Sequence, residues 1–389
     1  MCKITSTMVL FVASCLSLTS GMNALAASPA LKDVFAEHFR VGAAIGTQQV
    51  LGQEPGTLEL VAQQFNTITP ENLLKWSEVH PEPDRYHFEP ADRLVEFGQR
   101  HDMFIVGHTL VWHNQTPPWA FEGIDGRPLD RDTALARIKE HISTVVGRYR
   151  GRIHAWDVVN EAIDDQGRLR TGPVGPPGRR GAPWHAAIGD DYIEQAFRFA
   201  HAADPNAELY YNDYNEWYPA KIEAISNLVR SMQAKGIRID GVGLQGHWGM
   251  GYPTLEEIDH MLTEYGKLGV KLMITELDIS VLPPARPGTG AEVTLRAAGG
   301  RADDPYSDAL PPSMQQALAE RYAAIFRLFV KHADKIDRVT FWGVHDGHSW
   351  RNHWPVRGRT DYPLLFDRRL QPKPAFEAVI QTATGHSPR

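Results

Sequence analysis

The sequence predicts a single (β/α)8 barrel, an α/β fold with long loops after the fourth and seventh strands. From residue 39 onward, short β-branched or aromatic runs alternate with helical stretches, the pattern of a parallel sheet with crossover helices. Eight such strands can be read. Eight repeats also use up the 389-residue chain as one barrel with long loops, better than as two smaller domains.

The strands fall at 40–44, 67–69, 104–110, 155–159, 208–212, 241–244, 272–277 and 338–343. Thr67-Ile68-Thr69 is wholly β-branched, Phe104-Ile105-Val106 opens the third strand, and Tyr210-Tyr211 marks the fifth. Helices are expected at 131–149, 191–203, 220–235, 254–265 and 312–332, the last with apolar residues at helical spacing. Two Pro/Gly-rich stretches, 167–183 and 283–312, resemble linkers in composition. Each lies inside a β/α unit, so they are read as loops on the face where the strands end.

The first 31 residues are a different material. No charge appears between Lys3 and Lys32, and Met8 to Leu18 is an apolar run of signal-peptide length, too short to span a bilayer. Ala24-Leu25-Ala26 supplies a cleavage site, which predicts a removed leader over 1–26, a mature barrel over 27–389, and export to the periplasm or medium. Cys2 and Cys15 would leave with the leader, so no disulfide or thiolate ligand is expected in the mature chain. Val12-Ala13-Ser14-Cys15 also resembles a lipobox, in which Cys15 would carry a lipid anchor; the short segment before it weighs against this.

A hydrophobic fraction of 42% excludes a disordered chain, and a formal charge of −7 without a basic run argues against nucleic acid or an anionic membrane as partner. No later segment reaches the length of a membrane span. Ten Trp suggest ring platforms as well as core filling, with Trp156 and Trp184 as packing residues.

In a barrel of this kind chemistry sits where the strands end. Those ends are polar here: Glu71, Asn72 and Lys75; His108, Trp112 and His113; Asn160 and Glu161; Asn212, Asp213 and Tyr214; Gln245 and His247; Glu276 and Asp278; Trp342 and Trp350. Such groups are costly to bury unless they bond one another or a ligand. Glu161 ends strand four and Glu276 lies on strand seven, across the barrel mouth. Opposed carboxylates flanking a cleft suit glycosidic bond cleavage, in which one is protonated to donate to the leaving oxygen and the other is ionised. Alternation puts Asp278 on the side of Glu276 and Gln245 on the side of His247, so His247 can bridge the two acids. Asn160 and Glu161 cannot both face the cleft from a regular strand; the chain must turn there. Trp112, Trp342, Trp350 and Tyr214 offer faces on which sugar rings stack. His345 and His348 invite a metal reading, but no clustered ligand spacing supports it, and no metal or cofactor is expected. Asn114-Gln115-Thr116 is a glycosylation sequon of the kind common by chance. A non-catalytic carbohydrate-binding barrel would use the same platforms without needing both Glu161 and Glu276, and a metal-dependent hydrolase would need ligands the sequence does not cluster.

Seven blocks resemble glycoside hydrolase family 10, the β-1,4-xylanases: FNTITPENLLKW (65–76), GHTLVWHNQTPPW (107–119), WDVVNEAI (156–163), YYNDYN (210–215), GLQGH (243–247), ITELDI (274–279) and FWGVHDGHSW (341–350). The resemblance runs from about residue 30 to 382 and implies hydrolysis of internal β-1,4-xylosidic bonds with retention of configuration. Matched residue by residue, it implies Glu161 as acid/base and Glu276 as nucleophile, with His247 and Asp278 in support. It further implies that Asn160 binds the 2-hydroxyl of the sugar being cleaved. Glu71, Asn72, Lys75, His108, Trp112, Gln245, Trp342 and Trp350 would line the glycone side and Tyr214 an aglycone platform. The expected partner is xylan or a xylo-oligosaccharide, acted on by a monomer. A β-1,4-glucanase or a xylo-oligosaccharide specialist is the nearest rival. The insertion at 172–183 departs from the common pattern and bears on leaving-group preference.

Overall fold

Eight parallel strands close on themselves. In the computed structural model, which describes residues 29–123, 125–172, 181–283 and 304–383, these are β1 (Arg40–Ile45), β2 (Thr67–Pro70), β3 (Phe104–Val111), β4 (Ala155–Asn160), β5 (Glu208–Asp213), β6 (Gly241–Leu244), β7 (Lys271–Ser280) and β8 (Ile336–Phe341). Each pairs in parallel with the next, and β8 returns to β1 in the register Arg40↔Arg338, so the ring has no free edge. The (β/α)8 barrel expected from the sequence is the fold observed. The leader expected over 1–26, with both cysteines, falls outside the described residues, as do 173–180 and 284–303 of the two long loops.

Helices follow the strands in turn: α1 (Thr57–Gln64), α2 (Glu89–Arg100), α3 (Arg131–Arg148), α4 (Tyr192–Ala203), α5 (Pro219–Ala234), α6 (Leu255–Gly266), α7 (Pro312–Lys331) and α8 (Pro374–Ala383). Their starts have local causes. The Asp130 side chain accepts a 3.0 Å bond from Thr133 N to cap α3, and Thr254 with Glu257 forms a reciprocal capping box at α6. Pro219 and Pro312 open α5 and α7, where a missing N–H costs nothing. Each helix turns an apolar stripe onto the strands; Ile142, Phe197, Val229, Leu262 and Phe326 are wholly buried in that layer. Among the described residues no helix is long and apolar enough to cross a membrane.

Inside the ring, Val106, Ala155, Tyr210 and Met273 from neighbouring strands form a separate small apolar cluster. Arg338 lies over the Tyr210 ring at 4.9 Å and is itself buried. This fills the end where strands begin and leaves polar side chains to gather at the other end. One strand runs longer than the sequence suggests. β7 extends to Ser280 because a short segment, His247–Gly249, pairs alongside it in the register His247↔Asp278. That pairing brings β6 and β7 side chains together at the mouth.

Candidate active site

Glu161 owes its position to a break in the strand. Its φ of +57° lies in the left-handed region, which reverses the alternation expected after Asn160 and lets both side chains face the mouth. The turn is held by Glu161 N donating to Asn212 O at 2.8 Å and by Arg170 Nε donating to Glu161 O at 2.9 Å. The Glu161 carboxylate then accepts Trp112 Nε1 (2.8 Å) on one oxygen and Gln245 Nε2 (3.1 Å) and Asn160 Nδ2 (3.2 Å) on the other. Burial, followed by the negative charge of Asp213, raises its pKa above the ordinary glutamate value, against the opposing pull of Gln245, Arg170 and Trp112.

Glu276 is built oppositely. Asn212 Nδ2 donates to Oε1 at 2.8 Å and His247 Nε2 lies 3.1 Å from Oε2. Burial alone would raise its pKa, but the His247 bond and the charges of His108, His247 and Lys75 outweigh it and hold the carboxyl below the usual range. The two carboxyls thus have environments that push their pKa values in opposite directions, Glu161 up and Glu276 down. Asn212 and Asn160 tie them together: Asn212 Nδ2 also donates to Asn160 Oδ1 at 2.9 Å. Gly243 makes room for that amide, since a Cβ there would stand 2.3 Å from Asn212 Oδ1.

His247 joins Glu276 to Asp278. Its Nδ1 is 3.0 Å from Asp278 Oδ2, within ion-pair reach although not aligned as a hydrogen bond. Burial opposes a charge on the ring, yet the two carboxylates outweigh it and lift its pKa to about 9. Asp278 is anchored by Arg351 Nε (3.0 Å) and Nη2 (2.8 Å) and by Trp350 Nε1 (2.7 Å). Lys75 Nζ sits under the same mouth, 3.0 Å from both Asn72 Oδ1 and Gln115 Oε1 and 4.9 Å from the Trp112 ring centroid. Burial lowers its pKa, with Glu276, Glu71 and Glu161 acting the other way. His108 Nδ1 lies 2.9 Å from Asp157, and its ring meets Trp342 edge-on.

These side chains share one pocket of about 120 Å³, lined by Glu71, Asn72, Lys75, His108, Trp112, Gln115, Asn160, Glu161, Gln245, His247, Glu276, Trp342 and Trp350. A larger hollow of about 590 Å³ at the opposite end of the barrel is lined by Arg40, Lys271 and Asp337 among other residues, without paired buried carboxylates. Asp278 stands behind the pocket wall. Tyr214 stands apart from it: the ring is 1% exposed, with Lys221 Nζ 4.3 Å from its centroid and its hydroxyl accepting Arg170 Nη2 at 2.8 Å. Its face is therefore enclosed rather than offered to a sugar. Trp156 and Trp184 are buried, as packing residues should be.

Three residues outside the expected set belong to the site. Gln115, inside the sequon, reaches Lys75 and Asn72; Asn212 links the two carboxylates; Arg351 grips Asp278. Asn212 was legible as a polar strand end, whereas nothing local in the sequence singles out Gln115 or Arg351. Among the described residues no group of three or more His, Cys, Asp or Glu side chains is arranged to hold a metal ion, and His345 and His348 both turn to Glu54.

Known proteins resemble this chain over most of its length. The sequence model of Glycosyl hydrolase family 10 matches residues 30–382. The chain is 41% identical to endo-1,4-beta-xylanase A of Xylanibacter ruminicola over 353 residues, covering 91% of this chain and 93% of that protein. It is 43% identical to the endo-1,4-beta-xylanase of Geobacillus stearothermophilus over 356 residues, covering 90% and 98%. Among solved structures, an endoxylanase of the same family retrieved from sugarcane soil metagenome superposes with a TM-score of 0.86 at 43% identity, covering 90% of this chain and 99% of the other.

Proposed function

The chain belongs to glycosyl hydrolase family 10, and from that premise we propose that it is an exported endo-1,4-β-xylanase that cleaves internal xylosidic bonds with retention of configuration. The observation that carries the reading is the opposed tuning of two buried carboxyls on facing strands, Glu161 raised and Glu276 lowered. Family membership supplies the reaction class, and the residue roles follow from the surroundings of each group.

Glu276 attacks the anomeric carbon while Glu161 donates its proton to the departing oxygen. His247, a cation between Glu276 and Asp278, keeps the nucleophile ionised and fixes the oxygen it grips, leaving the other carboxylate oxygen with Asn212. Once Glu276 is esterified its negative charge is gone, and Glu161, now ionised, draws a proton from the incoming water that releases the sugar. The intermediate has a Glu276–sugar ester bond, which water cleaves to return both carboxyls to their starting states. Asn160 holds the 2-hydroxyl of the reacting sugar beside these groups. Glu71, Asn72, Lys75, His108, Trp112, Gln245, Trp342 and Trp350 bind the glycone side. Retention requires the two carboxyl groups to stand about 5 to 5.5 Å apart. Trp342 and Trp350 wall the pocket around the reacting sugar and crowd a hydroxymethyl group, which selects xylose over glucose. Residues 1–26 serve as the removed leader, with the barrel from residue 27 onward as the catalytic unit.

The test is hydrolysis of xylan and of carboxymethylcellulose by the purified chain, with Glu276→Ala and Glu161→Ala beside it. Xylan is cut and the cellulose derivative is not; Glu276→Ala is inactive on both; azide restores Glu161→Ala on an activated aryl glycoside and gives the β-azide. Equal rates on the two polymers would overturn the substrate assignment, and an α-azide the stereochemistry.

A further inference from the structure

Glu71 reaches the pocket from the turn after β2, and its support comes from outside the pocket wall. His348, in the segment after β8, places Nε2 3.6 Å from Glu71 Oε2 and Nδ1 2.9 Å from Glu54 Oε1. The longer contact is an ion pair and the shorter a hydrogen bond. Glu54 is held in turn by Gln49 Nε2 at 3.0 Å and by His345 Nε2 at 3.3 Å, both on Oε2. Gly46 admits the ring, because a Cβ there would stand 2.4 Å from His348 Nε2 and 3.2 Å from Glu71 Oε2. An imidazole flanked by two carboxylates is favoured in its charged form; Glu71 acts first and Glu54 after it, against burial, and His348 is raised to about 9. Burial would raise the Glu54 carboxyl, but the Gln49 bond and, after it, the His348 charge hold it below the ordinary glutamate value.

We propose that His348, clamped between Glu54 and Glu71, is a positioning residue for glycone recognition. It engages Oε2 of Glu71; because β2 is not adjacent to the strands that carry Glu161 and Glu276, Glu71, which lines the pocket, offers its remaining oxygen to hydroxyls of a neutral pentose unit beyond the one at the cleaved bond. A carboxylate held in this way keeps its orientation without giving up the acceptor the sugar needs. The inference rests on the hydrolase reading above and adds a residue outside the pocket lining to it.

The experiment compares an aryl β-xyloside, with one glycone unit, and an aryl β-xylobioside, with two, on the full chain. His348→Gln lowers kcat/KM for the xylobioside about tenfold, mostly through KM, and leaves the xyloside within about twofold. Glu54→Gln, which keeps shape and removes charge, moves the same ratio in the same direction and carries the test if His348→Gln does not fold. Because His348 acts through Glu71, the double variant His348→Gln/Glu71→Gln is no worse than Glu71→Gln alone. Equal losses on both substrates, or additive losses in the double variant, overturn the proposal. Absence of turnover by the unaltered chain on either substrate would overturn the hydrolase reading instead.

Discussion

His247→Asn removes the imidazolium from between Glu276 and Asp278 while leaving a side chain short enough to fit. The lost contact is the 3.1 Å bond to Glu276 Oε2, made by a ring whose pKa of about 9 keeps it charged at neutral pH. A bond of that kind contributes about 1.5 to 3 kcal/mol. Glu276 would retain the Asn212 donor and the charge of Lys75, but burial, which raises its pKa, would meet less opposition. The carboxyl would then take up a proton at higher pH than in the parent enzyme. On the proposed role, in which the ionised form attacks, activity is lost on the acid side: below both pKa values kcat/KM falls about 10- to 150-fold, and the deficit narrows as the pH rises and Glu276 ionises again. Asp278 keeps Arg351 and Trp350 as donors, so the substitution leaves no orphaned charge there. The assay is the pH dependence of kcat/KM for an aryl xylobioside, which reports the free enzyme, with thermal unfolding of the variant followed in parallel. A loss of the same size at every pH, or an acid limb shifted to lower pH, would refute the reasoning.

Arg170 lowers the pKa of Glu161 through its charge. In Arg170→Gln the Glu161 carboxyl, the proposed general acid, holds its proton to higher pH, so the alkaline limb of the same profile moves upward; an unmoved or downward limb contradicts the assignment. Lys221 and Asp213 form a 2.6 Å pair with both side chains fully buried. Lys221→Met leaves Asp213 without that partner and lowers unfolding free energy by about 3 to 5 kcal/mol in a denaturant titration; a change under about 1 kcal/mol would show that the pair is not sealed from water.

Much of the barrel is legible in the sequence because the strands of a parallel sheet are short runs rich in β-branched, aromatic or apolar residues, and the observed strands fall on such runs. The polar residues that interrupt those runs at their ends, among them Glu161, Gln245 and Glu276, are the ones the fold gathers into the pocket. What alternation could not give is the turn at Glu161, since a positive φ in a non-glycine residue leaves no mark in composition. Gln115 is hidden in the sequence for a related reason: it too has a positive φ, and its partners Lys75 and Asn72 come from another strand's loop. Tyr214 shows the opposite error. A tyrosine after a strand end suggests a platform, but Arg170 and Lys221 enclose this one, and the sequence does not say which side chains will fold over a ring. The repulsion that raises Glu161 after burial comes from Asp213, one residue beyond the Asn212 bridge.

The central claim is that Glu276 forms the covalent bond to the sugar. A 2-deoxy-2-fluoro xylobioside with a good leaving group slows both steps of the reaction and accumulates the ester, and mass spectrometry of the digested protein locates it. The predicted result is one added fluoroxylobiosyl unit on the peptide containing Glu276, absent in Glu276→Ala. A label on any other residue, or full turnover with inversion and no label, would contradict the account.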